Sequence, residues 1–439
     1  MSLTKKGLSD SAYYLIANIG YKVLAFLIIP ILAKSVGVKE FATYDLFLVI
    51  SSFIDIIIVL GIDSGVAIFL AEADEDDTTL SFYYLSTLII SSAILFFIAL
   101  ILLIIFLFTN ELFLLDREIW LYIIFYVFFN MVTYHTFNFL KWRAKAKEAS
   151  FITLFSYVIG MLSGLGFLYF HKSINSYLQG LVLGLLVGSI VSLYISREYI
   201  FGFKLIKDYK SRLKELFAIS LPFVPSYLGN SLMQMADRIV ILMLFTKYEL
   251  GLYAIIVKLA MIPQVLIGTV AGGFTPVMLK NYKEADGKKL IKNFFHIYLL
   301  LIPIIFLIGY FLSDFAVKLF GGEEYLKAAY LLPLALASIL FVQSTQANGF
   351  GYVIKRKTHY IMYITFLTVV LNYLLSLAFG YMIGLAGVIF GTLIAGVIRT
   401  IFFTHYSEKL YRFDYNNMLI YSISIVTIAM SIFSIKGDF

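Results

Sequence analysis

The sequence predicts an all-α, polytopic membrane protein. Thirteen apolar runs, separated by short polar links, follow one another along the 439 residues. Hydrophobic residues make up 61% of the chain and charged residues 14%, which is about half the charged share of an ordinary soluble domain. A spanning helix needs about 20 apolar residues to cross a hydrocarbon core of about 30 Å. The runs therefore account for most of the chain, and we expect no sizeable soluble domain.

The predicted helices can be placed one by one, with boundaries uncertain by about 2–4 residues. Residues 1–10 carry Lys5 and Lys6 ahead of an apolar run that lacks a small-residue cleavage site, which predicts a retained first helix. In chain order the predicted spans are residues 11–33, 41–70, 79–108, 118–140, 150–171, 176–196, 216–246, 250–278, 291–313, 326–353, 359–380, 383–404 and 416–435.

The basic residues predict the orientation of these helices. Twenty-two Lys and Arg residues fall on the links that share a face with the N-terminus, and eight fall on the opposite face. Because Lys and Arg are enriched in cytoplasmic links, we expect a cytoplasmic N-terminus and a bacterial inner membrane. The net charge of +7 then reflects topology and not nucleic-acid binding. The basic face could also hold anionic lipid or a lipid-linked phosphate.

Seven of the charged residues inside the predicted helices call for an explanation, because a charge in the membrane core costs at least about 2.5 kcal/mol. They are Lys22, Asp45, Asp55, Asp237, Arg238, Lys258 and Arg399. Arg238 and Lys258 each lie about 12 Å below the outer ends of their helices, so they can meet at one level. Arg399 is close enough to the inner end of its helix to reach water.

Two interpretations of these charges remain open. They could form structural pairs, such as Lys22 with Asp55 or Lys258 with Asp237. Alternatively, the surplus of cations could line a cavity for an anionic substrate. Polar residues at spacings of three and four favour a wet interior: Ser226, Asn230, Gln234 and Asp237 on one helix, and Asn18 with Lys22 on another. The candidate substrate-binding residues are Lys22, Arg238, Lys258, Asn230, Gln234 and Asn18.

Enzyme and cofactor chemistry is not expected. Cys is absent, so no thiolate metal site can form, and the five His residues are scattered. The sequence contains no Walker loop, dinucleotide fingerprint, HExxH or nucleophile elbow. We therefore predict a protein that is not an enzyme, with no catalytic residues, no metal and no cofactor.

A short internal repeat predicts the domain organisation. Residues 40–44, before the second helix, recur as residues 249–253 before the eighth. Because six helices separate the copies, the halves would run parallel, giving two six-helix lobes around a central cavity. We expect an N-terminal lobe at 1–200, a basic linker at 201–215, a C-terminal lobe at 216–410 and a hydrophobic segment at 411–439. That segment is a thirteenth helix, which either spans the membrane or lies along it.

The chain resembles a known family at several segments. They are Val38–Phe53, Leu221–Pro225 leading to Asp237 and Arg238, Glu249–Tyr253, Phe274–Pro276 and Leu319–Tyr325. They look like segments of polysaccharide-biosynthesis exporters, and the chain is similar to the Wzx-type O-antigen flippases of the multidrug, oligosaccharidyl-lipid and polysaccharide exporter (MOP) superfamily. The resemblance implies translocation of undecaprenyl-pyrophosphate-linked oligosaccharide from the cytoplasmic to the periplasmic leaflet by alternating access. It also implies a polysaccharide polymerase and a chain-length regulator as partners, besides membrane lipid, and no nucleic acid.

The charged residues inside the helices suggest a transport mechanism, and two alternative functions remain open. Lys22, Arg238 and Lys258 would attract the pyrophosphate, while Asp55 or Asp237 would couple transport to a proton or sodium gradient. A small-molecule exporter of multidrug type is the main alternative, although intramembrane carboxylates would serve it better than a surplus of cations. An O-antigen polymerase or ligase is the second, although the outer links are short for glycosyl transfer.

Overall fold

The computed structural model describes residues 3–72, 77–143, 145–203, 207–357 and 359–436. The described chain is a succession of helices with one very short hairpin, β1 (Glu111–Leu112) and β2 (Leu115–Asp116). The helices are α1 (Leu3–Val36), α2 (Val38–Val59), α3 (Ile62–Glu72), α4 (Asp77–Phe108), α5 (Arg117–Trp142), α6 (Ala146–His171), α7 (Ile174–Ile195), α8 (Arg197–Phe201), α9 (Tyr209–Ser220), α10 (Val224–Leu244), α11 (Lys247–Asn281), α12 (Ala285–Phe320), α13 (Leu331–Gln343), α14 (Thr345–Asn348), α15 (Phe350–Ile354), α16 (His359–Leu410) and α17 (Asn417–Lys436).

The helices confirm an all-α polytopic membrane fold. Each of the thirteen predicted runs coincides with one helix or with consecutive helices. By length and composition, nine helices of the described chain could cross a membrane, and ten if the bent pair around Leu221–Phe223 counts as one span. In a spanning helix the backbone groups hydrogen-bond to one another, and the apolar side chains face the lipid.

The predicted run 41–70 is not one helix. It divides into α2 and α3 at Leu60 and Gly61, whose φ angles are 49° and 65°. The left-handed conformation suits glycine, and a Cβ on Gly61 would lie 2.8 Å from the carbonyl oxygen of Ser220. The close approach of α9 therefore requires glycine at this break, which hydropathy alone could not reveal.

Two further breaks position polar residues. Before α10, a 3₁₀ helix over Leu221–Phe223 contains Pro222 and follows directly on α9. In α16, Ile383 and Gly384 leave the helical conformation, with φ of −133° and 68°. This second break lies at the start of the predicted span 383–404, close to the predicted gap after residue 380, and it divides α16 into two arms.

The residue contacts divide the chain into two compact units. The N-terminal unit contains residues 1–36 and 43–231, and the C-terminal unit contains residues 37–42 and 232–439. The boundary near residue 231 lies inside α10, not in the polar link at 201–215. The four-part division and the two six-helix lobes around a central cavity stay predictions.

Glycines set the closest packing in each unit. In the N-terminal unit, a Cβ on Gly180 or Gly184 of α7 would overlap the backbone of α6 at Gly164 or Gly160. Gly180, Gly184 and Gly188 recur at a spacing of four, a pattern that predicts a close-packing face, and these contacts confirm it. In the C-terminal unit, a Cβ on Gly251 would overlap the carbonyl oxygen of Val38, so the starts of α2 and α11, which carry the internal repeat, touch each other.

Candidate functional site

The C-terminal unit contains a buried carboxylate with three donors. Asp237, on α10, is 6% exposed. Its Oδ2 accepts a hydrogen bond from the Tyr253 hydroxyl on α11 at 2.7 Å. Its Oδ1 accepts from Asn372 Nδ2 at 2.8 Å and from Thr392 Oγ1 at 2.9 Å, one from each arm of α16. Since a buried carboxylate is costly without hydrogen bonds, these donors make its burial tolerable.

The oxygens around Asp237 continue into a small polar cluster. Ser376 Oγ donates to the carbonyl oxygen of Val388 at 2.9 Å and to Asn372 Oδ1 at 3.3 Å. The two arms of α16 can approach this closely because a Cβ on Gly391 would overlap the backbone of Ser376. We call Asp237, Asn372, Ser376 and Thr392, with the Val388 carbonyl, the Asp237 cluster.

The Asp237 cluster has the oxygen ligands of a weak cation-binding site. It offers one carboxylate, two hydroxyls, an amide and a backbone carbonyl, which are ligands for a hard cation. Within the described residues, no group of three or more His, Cys, Asp or Glu could hold a metal ion. A single carboxylate among neutral oxygens suits a monovalent cation or a proton.

Arg238 adjoins the Asp237 cluster and is also buried, with 6% of its surface exposed. Its Nη1 donates to the Gln234 carbonyl oxygen at 2.6 Å, and its guanidinium carbon lies 5.4 Å from the centre of the Tyr253 ring. This distance allows a cation–π interaction. Tyr253 therefore contacts both charges, with its hydroxyl on Asp237 and its ring near Arg238.

The other predicted substrate-binding residues are spread over the two units. Gln234 is exposed and Lys258 is half-buried, both in the C-terminal unit. Lys22 and Asn230 are exposed in the N-terminal unit. The side chain of Asn18 lies outside the described residues. The structure thus brings Gln234 and Arg238 together, and the cationic cavity stays a prediction.

The predicted polar stripe on α10 is divided by burial. Asn230 and Gln234 are exposed, whereas Asp237 faces the interior of the C-terminal unit. The side chain of Ser226, the first member of the stripe, lies outside the described residues. Asp237 differs from the others because donors on α11 and α16 satisfy its charge, and those donors are remote in sequence.

The N-terminal unit contains a cleft of about 340 Å³. We call it the N-terminal cleft; it is lined by Ser52, Asp55, Ile56, Val59, Gly61, Asp63, Asn130, Met131, Tyr134 and Tyr227. Asn130 Nδ2 donates to Asp55 Oδ2 at 2.9 Å, and the Tyr157 hydroxyl donates to Asn130 Oδ1 at 3.0 Å. Asp55 therefore bonds to Asn130, and the structural pair expected with Lys22 is not formed among the described residues.

Asp63 is the residue of this cleft that the sequence did not reveal. The Tyr134 hydroxyl donates to its Oδ2 at 2.8 Å. Its Oδ1 is buried and has no hydrogen-bond partner among the described residues. Asp63 lies just after the break at Gly61, which hydropathy placed within one continuous helix. Hydropathy did not show this break, and the break places Asp63 against the face of α5 that carries Asn130 and Tyr134.

Comparison with known proteins identifies the family. Residues 8–282 match the model of a family described as polysaccharide biosynthesis protein. The chain belongs to this family. A curated relative, the capsular polysaccharide biosynthesis protein CapF of Staphylococcus aureus, is 26% identical over 137 residues, which are 30% of this chain and 35% of CapF. The match thus spans about a third of that relative.

Solved structures give the fold of this polysaccharide biosynthesis protein. An inward-facing MATE family multidrug resistance transporter of the MOP superfamily has a TM-score of 0.65 at 18% identity, covering 87% of this chain and 95% of its own. The lipid II flippase MurJ, in an inward closed conformation, has a TM-score of 0.64 at 19% identity, covering 97% and 93%. The family model therefore confirms the predicted resemblance to the polysaccharide-biosynthesis proteins, and the likeness to these two structures shows the fold of a multi-pass membrane protein.

Proposed function

We propose that this polysaccharide biosynthesis protein is a flippase. Its cargo would be undecaprenyl-pyrophosphate-linked oligosaccharide, an O-antigen or similar surface polysaccharide repeat unit, moved from the cytoplasmic to the periplasmic leaflet. Family membership over residues 8–282 carries the proposal. The likeness to MurJ, which is named as a lipid II flippase and covers 97% of this chain, supports it.

The cargo divides into three chemical parts, and each has a counterpart in the chain. The pyrophosphate needs fixed positive charge once it leaves water, which Lys22, Arg238 and Lys258 would supply. Amide side chains at Asn18, Asn230 and Gln234 would bond the glycan hydroxyls. The prenyl tail would stay in lipid, since hydrocarbon gains nothing by leaving it. Polysaccharide polymerase and a chain-length regulator would act on the product.

The protein would work by alternating access in the bacterial inner membrane, with a cytoplasmic N-terminus. The Asp237 cluster is our first candidate for coupling to an ion gradient, because it combines a buried carboxylate with four neutral oxygen-bearing groups. Asp55 is the second candidate. A sodium ion or a proton would neutralise the buried charge and so favour one arrangement of the arms of α16.

The flippase proposal is tested by analysing lipid-linked oligosaccharides in cells that lack the protein. A membrane-impermeant glycosidase reports which leaflet holds the sugars. We expect single repeat units to accumulate and to resist the enzyme. Exposed but unpolymerised units would point to the polymerase class instead. Complementation with Lys22→Ala, Arg238→Ala or Lys258→Ala should restore export poorly at normal protein levels, whereas Lys172→Ala, at the exposed end of α6, should restore it fully.

The coupling proposal is tested on the purified protein. Sodium chloride should raise the melting temperature above its value in choline chloride, because a ligand that binds only the folded state stabilises it. Asp237→Asn should lose this sodium response, and Asp314→Asn, at an exposed position of α12, should keep it. A response to pH without one to sodium would identify a proton. No response to either would contradict coupling through Asp237.

A small-molecule exporter is the second candidate function, favoured by the likeness to MATE transporters. It predicts that cells lacking the protein accumulate no lipid-linked oligosaccharide and become more sensitive to cationic drugs. Accumulation of lipid-linked oligosaccharide and sensitivity to cationic drugs, measured in the same cells, therefore distinguish the flippase from the exporter.

A further inference from the structure

We propose that the N-terminal cleft binds one sugar ring of the cargo, and that it selects a neutral or amino sugar over an acidic one. This assignment rests on the proposed flippase function for its biological meaning, although the binding itself does not require transport. It concerns residues apart from the predicted cationic cavity.

The size of the cleft suits a small ligand. Its volume of about 340 Å³ lies at the lower end of the roughly 300–1,000 Å³ that small-molecule sites occupy. Apolar side chains of Ile56, Val59 and Met131 form part of its wall, and a few polar groups converge on the remainder. This mixture matches a pyranose, which has apolar C–H faces and a rim of hydroxyls.

The charge of the cleft decides which sugars it accepts. Its described lining contains two carboxylates, Asp55 and Asp63, and no Lys, Arg or His. Ionised carboxylates only accept hydrogen bonds, so they require a ligand that donates O–H or N–H groups. Hydroxyls, amines and N-acyl groups meet that requirement. A uronic acid or a phosphate would bring a like charge into the cleft and be repelled.

The separate hydrogen-bond partners of the two carboxylates favour a sugar ring over a single ion as the ligand. Asp55 bonds to Asn130, and Asp63 bonds to Tyr134. These two partners are four residues apart on α5, so they are stacked about one helical turn, roughly 5.4 Å, apart along its axis. A cation takes its oxygen ligands at about 2.3–2.6 Å, which draws carboxylates together. Carboxylates that bond to different partners on α5 can instead accept hydrogen bonds from different hydroxyls of a sugar.

The cleft is held in shape before any ligand arrives. Tyr157 donates to Asn130, which in turn donates to Asp55, so the amide orientation is determined by its neighbours. Tyr157 also stacks on Tyr21, with ring centres 4.7 Å apart. Such a preformed site loses little freedom on binding. The buried Oδ1 of Asp63 remains as an acceptor without a described donor.

Aromatic side chains complete the resemblance to a sugar site. Tyr134 and Tyr227 line the cleft, and each is 37% exposed. Since the Tyr134 hydroxyl is engaged with Asp63, its ring is oriented and can pack on the apolar face of a pyranose.

The absence of cysteine from the chain makes the test direct. Ser52, exposed on the cleft, is replaced by cysteine in the purified full-length protein, and its alkylation rate is measured with methyl glycosides present. The free fraction of a site is 1/(1 + [L]/Kd), so a glycoside at ten times its Kd should slow alkylation about tenfold. We expect this with the glycosides of glucosamine and N-acetylglucosamine and not with that of glucuronic acid.

Control variants separate the cleft from general effects. Leu121→Cys, on the exposed surface of α5, should react at the same rate with and without glycoside. Asp63→Asn in the Ser52→Cys background should lose the protection. Tyr134→Phe, which keeps the ring, should weaken it. An unchanged alkylation rate of the two double variants without glycoside shows that they are folded.

Three results would overturn the assignment: no protection by any glycoside, equal protection by the glucuronide, or protection by sodium chloride alone, which would make the cleft an ion site. These results are distinguishable from failure of the flippase proposal, because the cell experiment needs no glycoside binding. Shielded repeat units without protection refute the cleft alone. Protection without accumulated repeat units refutes the flippase alone.

Discussion

At the scale of single residues, charges inside apolar helices mark the important positions, and their partners lie far away in the chain. Asp237 receives hydrogen bonds from residues 135 and 155 positions later. The cost of burying a charge is a local property, so hydropathy reveals it. Many different donors could satisfy that charge equally well, and only packing selects them. The same holds for Asp55, for which the sequence offered Lys22 as one possible partner and the structure shows a hydrogen bond from Asn130.

Tyr253→Phe tests the Asp237 cluster at this scale. The substitution removes one hydrogen bond to the buried carboxylate and keeps the ring beside Arg238. We expect it to lower the free energy of unfolding by about 1.5–3 kcal/mol, the range for hydrogen bonds to charged groups. The measurement is chemical unfolding in detergent. Tyr373→Phe removes a weak hydrogen bond from the Tyr373 hydroxyl to Met243 Sδ, at 3.4 Å, and should be close to neutral; an equal loss there would contradict the expectation.

At the scale of elements, the positions of helices follow from hydropathy, while their breaks follow from contacts. The runs near 79–108 and 118–140 coincide with single helices, α4 and α5. The run 41–70 breaks at Gly61 because α9 lies against it. The contact between α6 and α7, unlike the break at Gly61, could be predicted from the sequence, since repeated glycines at a spacing of four predict close helix contact.

Gly184→Val tests the contact between α6 and α7. Its side chain would overlap the backbone of Gly160, so the helices must separate. We expect a loss of stability of about 1–3 kcal/mol, as for overpacked cores, seen as a lower melting temperature. Gly166→Ala is the matched control, because a Cβ there meets no atom within 4 Å. If both variants have the same melting temperature, overlap between α6 and α7 is not what destabilises Gly184→Val.

At the scale of the whole molecule, the family and transporter fold are established, and the orientation is a prediction. Basic residues collect on the links of one face, which the rule for cytoplasmic links assigns to the inside. The basic residues support this orientation because a positively charged link is translocated across the membrane only with difficulty. The division into two compact units follows from contacts and places its boundary within α10.

Cysteine labelling tests the orientation without removing any native cysteine, since the chain has none. Lys172→Cys and Lys355→Cys place single thiols on exposed links of opposite predicted faces. A membrane-impermeant maleimide should label Lys172→Cys in cells with a permeabilised outer membrane and leave Lys355→Cys unlabelled. Inverted inner-membrane vesicles should give the reverse. The opposite pattern in both preparations would place the N-terminus outside.

The sequence by itself determined the membrane class, the positions of the helices, the seven charges to be explained and the family resemblance. These depend on hydrophobic length and charge, which are properties of short segments. The tertiary structure alone decided the break at Gly61, the donors of Asp237 and the inclusion of Asp63 in a cleft. Those features depend on which remote helices meet, because the free energy of a buried polar group depends on partners that no local pattern specifies.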